Sequence, residues 1–198
     1  MTAGSKRPRR PGVLALQGDF REHLERFREL GAEPVDVRRP AQLDLVDALV
    51  IPGGESTTIG KLAAHYGIIE KLRERSAAGM PVWGTCGGAI FIARDVPLHP
   101  HPLAELMDLT VERNAFGRQV DSFEADLDVP ALGARPFHAI FIRAPRIARV
   151  GPDVEVLATL DDGSIVAAKQ GRLLATAFHP ELTGDPRFHE LFLGFGAG

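Results

Sequence analysis

Short aliphatic and β-branched runs alternate with helical patterns through the first half of the chain, and this alternation limits the possible folds more than any other feature. Val13–Gln17 reads as a buried strand. Gly18-Asp19 opens a helix on which Phe20, Leu24, Phe27 and Leu30 recur at helical spacing, and Gly31 ends it. Further strands are expected at Pro34–Val37, Ala48–Ile51 and Pro81–Trp83. Helix is expected from Thr57, broken near Gly67 and resumed to Ala78, and again over Gly87–Arg94. The second half is richer in strand, with extended runs at 110–112, 138–142, 155–160, 165–169 and 173–178. Asp161-Asp162-Gly163 and Gln170-Gly171-Arg172 are turn signals between these runs. A last helix is expected from Pro186 to Phe195. The pattern predicts an α/β fold: a mostly parallel central sheet with helices on both faces, in flavodoxin-like layers, and extra antiparallel strands in the C-terminal half. In such sheets ligands bind beyond the carboxyl ends of the strands.

The chain's 198 residues suit one domain, expected over 12–198. Residues 1–11, with Lys6, Arg7, Arg9 and Arg10 among prolines and glycines, are expected to form a disordered basic extension. A formal net charge of -3 provides no broad field for nucleic acid or an anionic membrane. The apolar run Val13–Leu16 is too short for a signal-peptide core, and no stretch approaches the ~20 apolar residues of a membrane span. A single cysteine rules out an intrachain disulfide and fits a reducing, cytoplasmic setting.

That cysteine lies in Gly84-Thr85-Cys86-Gly87-Gly88, directly after a predicted strand. The pattern is the cysteine counterpart of a nucleophile elbow, in which a strand turns sharply into a helix and glycines relieve the crowding. Cys86 would sit at the helix N-terminus, where unpaired N–H groups favour a sulfur anion, and the Gly87 N–H would be free to face an oxyanion. Taken alone, a free cysteine is as readily a small buried hydrophobe. A thiolate nucleophile needs a base and a group to orient that base. The strand over 173–178 ends in His179-Pro180-Glu181, where an i, i+2 pair can share one side. The third segment, Pro52-Gly53-Gly54-Glu55-Ser56-Thr57-Thr58, also leaves a strand and enters a helix. It can supply a second backbone donor at Gly54, or be an ordinary turn with a hydroxyl cap. A phosphate-binding loop is disfavoured because the lysine of that pattern is absent. His99-Pro100-His101 invites a metal, but no third ligand stands out and no metal site is expected. His65, His138 and His189 carry no pattern, His23 sits on a predicted helix, and all four are read as structural or surface residues.

These segments resemble the glutaminase subunits of pyridoxal phosphate synthase, within the triad (class I) glutamine amidotransferases. Leu16-Gln17-Gly18, Arg21-Glu22-His23, Arg39-Pro40, 52–58, 84–88, 111–114, 116–126, 141–145, 166–171 and 178–183 carry the resemblance, which spans nearly the whole chain from Gly12. It implies a class I amidotransferase fold and a triad of Cys86, His179 and Glu181. It further implies an oxyanion hole from Gly54 and Gly87, and glutamine contacts from Gly54, Glu55, Ser56, Arg113, Ile142 and Arg143. Gln17 would lie near the interface with the synthase. The implied reaction is hydrolysis of L-glutamine through a γ-glutamyl thioester. No cofactor is involved, and ammonia is delivered to a (β/α)-barrel synthase within a complex of several copies. The sequence departs from the family at Gly87, where Ala is usual, in the 95–102 segment and in the basic extension. Two rival functions stand beside this one: an amidotransferase of another pathway or a γ-glutamyl hydrolase, and a non-catalytic partner that steadies the synthase. The motif over 111–127 argues against the first, and the presence of all three triad residue types against the second.

Overall fold

A computed structural model of the chain describes residues 9–113 and 122–195. Residues 1–8 of the expected extension and residues 114–121 of the 111–127 motif lie outside the described residues. In chain order the elements are β1 (Pro11–Leu14), α1 (Phe20–Glu29), β2 (Val35–Val37), β3 (Ala48–Ile51), α2 (Ser56–His65), α3 (Ile68–Ala77), β4 (Val82–Thr85), α4 (Gly87–Ile92), β5 (Ala93–Asp95), β6 (Met107–Glu112), β7 (Ser122–Leu127), β8 (Phe137–Ile142), β9 (Arg146–Val150), β10 (Glu155–Thr159), β11 (Ile165–Gln170), β12 (Leu173–Thr176) and α5 (Arg187–Gly194).

The large sheet runs β2-β1-β3-β4-β12-β11-β9-β6-β5, with β10 added on β11. From β2 to β12 every pairing is parallel. Beyond β12, the pairings of β11 with β12, β9 and β10, and of β6 with β9, are antiparallel. This is the predicted arrangement, parallel strands joined by extra antiparallel strands in the C-terminal half, with β5 returning to parallel pairing on β6. β7 and β8 form a separate antiparallel pair.

The period-two pattern of the central strands sorts their side chains to two faces. Leu14, Leu49, Ile51, Val82 and Ala175 enter an aliphatic core with α2, α3 and α4. Val13, Val50, Trp83 and Leu174 enter an aromatic core with α1, β8 and α5. Phe27, Trp83, Phe137, Phe141, Phe178, Phe188 and Phe192 are fully buried on that second face. Rings of this size each remove roughly 150–250 Å² from water, so this layer anchors the sheet firmly.

Some boundaries differ from the sequence expectation. β1 begins at Pro11, which pairs with Ala48 of β3, and from Gly12 the strand is paired on both sides. Arg9 and Arg10 are also tied in, their carbonyls accepting from the Glu33 and Asp47 N–H groups. β1 ends at Leu14 rather than Gln17, and Leu16–Asp19 is given over to a turn with Gly18 at φ 92°. α4 stops at Ile92, where the chain is captured as β5 by pairing with β6.

Candidate active site

Four adjacent parallel strands, β1, β3, β4 and β12, release their loops at one end of the sheet. The β4 loop is Cys86 alone, before α4 begins at Gly87. Its backbone stands at φ 47°, ψ −108°, a conformation that a residue with a Cβ rarely adopts. The strain is held by the sheet: Cys86 N–H donates to the Thr176 carbonyl of β12 at 2.8 Å. The adjoining glycine is required by contact. A Cβ on Gly87 would lie 2.2 Å from the Gly54 carbonyl oxygen.

The same register brings the distant histidine to the sulfur. Thr85 pairs with Thr176, and three residues beyond Thr176 the chain reaches His179. Its N–H donates to the Ile140 carbonyl at 2.9 Å, which fixes the turn against β8. Cys86 and His179 both line the one cavity, and the sulfur is among the groups that act on the imidazole. On the other side of the ring, Nδ1 lies 2.7 Å from Glu181 Oε1 and 3.4 Å from Asp19 Oδ2. Gly53 permits this packing, since a Cβ there would come within 2.4 Å of His179 Cε1. Cys86, His179 and Glu181 are all buried. Burial disfavours a charged imidazole, but the hydrogen bonds and charges of Cys86 and Glu181 outweigh it, and the His179 pKa is pushed up to about 10. At neutral pH the ring therefore carries its proton.

The loop after β3 forms one wall. Glu55 caps α2, its carboxylate accepting from Thr57 N–H at 3.0 Å and Thr58 N–H at 2.7 Å. Its small burial penalty is outweighed by these bonds, and its pKa falls to about 2. Gln17 Oε1 accepts from the Glu55 N–H at 2.8 Å, tying the β1 loop to the β3 loop. Across the opening, Arg113 reaches Glu55 at 3.4 Å and His99 Nδ1 at 3.2 Å. The Ile142 carbonyl lies 3.8 Å from Cys86 Sγ, and Arg143 follows at φ 43°. Together these groups enclose a cavity of about 400 Å³, the size of a small-molecule site. Gln17, Gly54, Glu55, Ser56, Cys86, Gly87, Arg113, Ile142, Arg143 and His179 all line it, with Glu181 behind the imidazole. The arrangement suits covalent attack by sulfur on a small polar substrate, with guanidinium groups at the mouth for a carboxylate.

Residues 13–195 match the SNO glutamine amidotransferase family. The chain belongs to that family. A pyridoxal 5'-phosphate synthase subunit PdxT of Herpetosiphon aurantiacus is 61% identical over 186 residues, covering 92% of this chain and 98% of the relative. The PdxT of Chloroflexus aurantiacus is 55% identical over 185 residues, with 92% and 97% covered. A crystal structure of a glutamine amidotransferase superposes with a TM-score of 0.90 at 51% identity, covering 95% of this chain and 99% of the other. A PurLQS structure from Thermotoga maritima, at 16% identity and a TM-score of 0.71, shares the fold.

Every site residue expected from this amidotransferase's sequence is found in or directly behind the cavity. Several neighbours were not anticipated. Asp19 approaches His179, and Leu182 and Ile90 add apolar lining. His23 is completely buried behind Glu181. It sits one helical turn after Asp19, a spacing that puts both on the side of α1 facing the strand ends. No helix among the described residues is long and apolar enough to cross a membrane.

Proposed function

We propose that this chain is the glutaminase of a pyridoxal 5'-phosphate synthase. It hydrolyses L-glutamine to L-glutamate and ammonia and passes the ammonia to a synthase subunit. Family membership and the PdxT relatives support this reading. The observation that carries the chemistry is the convergence of Cys86 and His179 on one cavity from the ends of neighbouring parallel strands, with Glu181 at 2.7 Å from the ring.

The Cys86 thiolate attacks the side-chain amide carbon of glutamine. The carbonyl π electrons move to oxygen, and the N–H groups of Gly54 and Gly87 are the donors for that oxyanion, each worth roughly 3–4 kcal/mol. As the C–N bond breaks, protonated His179 gives its proton to the leaving nitrogen and ammonia departs. A γ-glutamyl thioester remains on Cys86. Water then loses a proton to His179 and attacks the thioester; the C–S bond breaks, releasing glutamate and restoring the ion pair. Glu181 holds the ring with Nε2 towards sulfur and stabilises the imidazolium, as the acidic member of a triad does. Glu55, Ser56, Arg113, Ile142 and Arg143 bind glutamine; the two arginines suit its α-carboxylate. Gln17 belongs to the face that meets the synthase. Discharge of ammonia into a partner keeps it from being protonated in water, and a reducing cytoplasm keeps the sulfur free.

The test is glutamate release from glutamine, with and without a synthase subunit. The wild-type chain should turn over when the synthase is present, and Cys86→Ala should abolish release. Full turnover in Cys86→Ala would remove Cys86 from its role. Absence of any glutamine hydrolysis by the wild-type complex would remove the glutaminase function itself.

A further inference from the structure

Behind the triad the carboxylate does not end the hydrogen-bonded series. Glu181 has a side chain with no exposed surface, and only its Oε1 is satisfied by His179. Its Oε2 faces His23 Nε2 at 3.3 Å. His23 Nε2 is equally 3.3 Å from Thr85 Oγ1, and His23 Nδ1 is 2.9 Å from His189 Nε2. Both histidines are fully buried. They are packed edge-on against Trp83, and His189 also against Phe27. The four groups come from four places: Thr85 at the end of β4, Glu181 after β12, His23 from α1 and His189 from α5.

Proton accounting favours one pair of tautomers, although the Thr85 hydroxyl can serve His23 Nε2 as donor or acceptor. If His23 carried its proton on Nδ1, it would donate to His189, leaving an imidazole lone pair against the Glu181 carboxylate. His189 would then hold its proton on Nδ1, an atom with no partner among the described residues. A buried donor without an acceptor and two facing lone-pair groups are both costly. With both protons on Nε2 instead, His189 donates to His23 Nδ1 and His23 donates towards Glu181 Oε2 and Thr85 Oγ1. The atoms then left short are acceptors, His189 Nδ1 and in part Glu181 Oε2, which is a milder deficit than a buried donor without a partner.

We propose that His23 is a positioning residue for the reaction, held in its tautomer by His189. Its N–H fixes the free oxygen of Glu181, so that the other oxygen holds His179 in line with Cys86. The proposal rests on the glutaminase reading. Burial keeps both rings neutral, lowering the pKa of His23, and likewise of His189, to about 3, so they donate without adding charge behind the carboxylate. The charged or titratable groups facing the series are Cys86, Asp19 and Glu181 around His179, Glu181, His189 and His179 around His23, and Arg26 near His189.

Two measurements on the full chain test this. Nitrogen-15 imidazole spectra of the wild-type chain should show His23 and His189 neutral at about pH 7, each protonated on Nε2. A His23 ring that is cationic or protonated on Nδ1 overturns the proposal without any variant having to fold. In the synthase complex, His23→Leu should lower kcat by about 10- to 100-fold, as loss of an outer partner of an oriented histidine does, with KM little changed. It should also displace the limb of the pH–rate profile set by His179. His23→Gln, which keeps an N–H near the Nε2 position, should restore most of the rate and the original limb. Unchanged kcat and pH profile in His23→Leu, or equal losses in the Leu and Gln variants, overturns the positioning role while the glutaminase reading stands. A wild-type complex that hydrolyses no glutamine overturns both.

Discussion

The floor and the rim of the cavity are built on opposite principles. At the floor, Cys86, His179 and Glu181 are buried, held by backbone bonds to β12 and β8 and backed by the aromatic core. At the rim, Glu55, Arg113, Ile142 and Arg143 are exposed, and Arg113 is held by contacts of 3.2 and 3.4 Å to His99 and Glu55. On the proposed reading, the groups that make and break bonds are held by the fold before substrate arrives, while those that recognise it stand in water at the rim. Preorganisation is worth most where charge develops and least where a carboxylate is captured from solvent.

The largest way to break this contrast is to loosen the floor. Gly53→Ala would drive a methyl group into His179 Cε1, and a displacement near 1 Å costs about 100-fold in rate. Glutamate release in the complex should show that loss in kcat. A near-normal kcat would mean that the imidazole has room to move. A change at the rim should act differently. Arg113→Ala should raise KM about tenfold, the value of one charge-assisted hydrogen bond, with kcat little altered. An equal fall in kcat would place Arg113 with the floor.

The parallel sheet, the elbow at Cys86 and the His179-Pro180-Glu181 turn were legible in the sequence because each is a local signal: a hydrophobic period, a glycine pair, an i, i+2 spacing. The partners of those residues were not. His23 and His189 are 166 residues apart and carry no pattern, so their meeting behind Glu181 follows only from the docking of α1 and α5 on one face. The contact of His99 with Arg113 was equally invisible in the sequence, where His99-Pro100-His101 reads as an exposed loop. β7 and β9 were missed because their alternation is one-sided or charged, as in Ser122-Phe123-Glu124-Ala125-Asp126 and Arg146-Ile147-Ala148-Arg149.

A smaller effect sharpens the contrast through stability. His23 and His189 have folded pKa values of about 3 against 6.5 when unfolded, so the unfolded chain takes up protons first as pH falls through that window. Each should cost about 1.4 kcal/mol of stability per pH unit there. His179 has the opposite sign: raised to about 10, it contributes stability below pH 6.5 that is lost as pH rises through 10. Denaturant unfolding should therefore show stability falling on the acid side. His189→Phe, which keeps a ring against Phe27 and Trp83, should make that slope shallower by about 1.4 kcal/mol per unit. Glu55, lowered from 4.5 to about 2, adds a later loss as pH falls through that range. An unchanged slope in His189→Phe would mean that His189 is charged in the folded chain.

Acid-quenching the synthase complex during glutamine turnover and weighing the chain by mass spectrometry bears most directly on Cys86 and His179 at the strand ends. A γ-glutamyl group should be found on Cys86 and be absent from Cys86→Ala. Steady glutamate release with no acyl group on that sulfur under any quench would contradict covalent catalysis at this corner of the sheet.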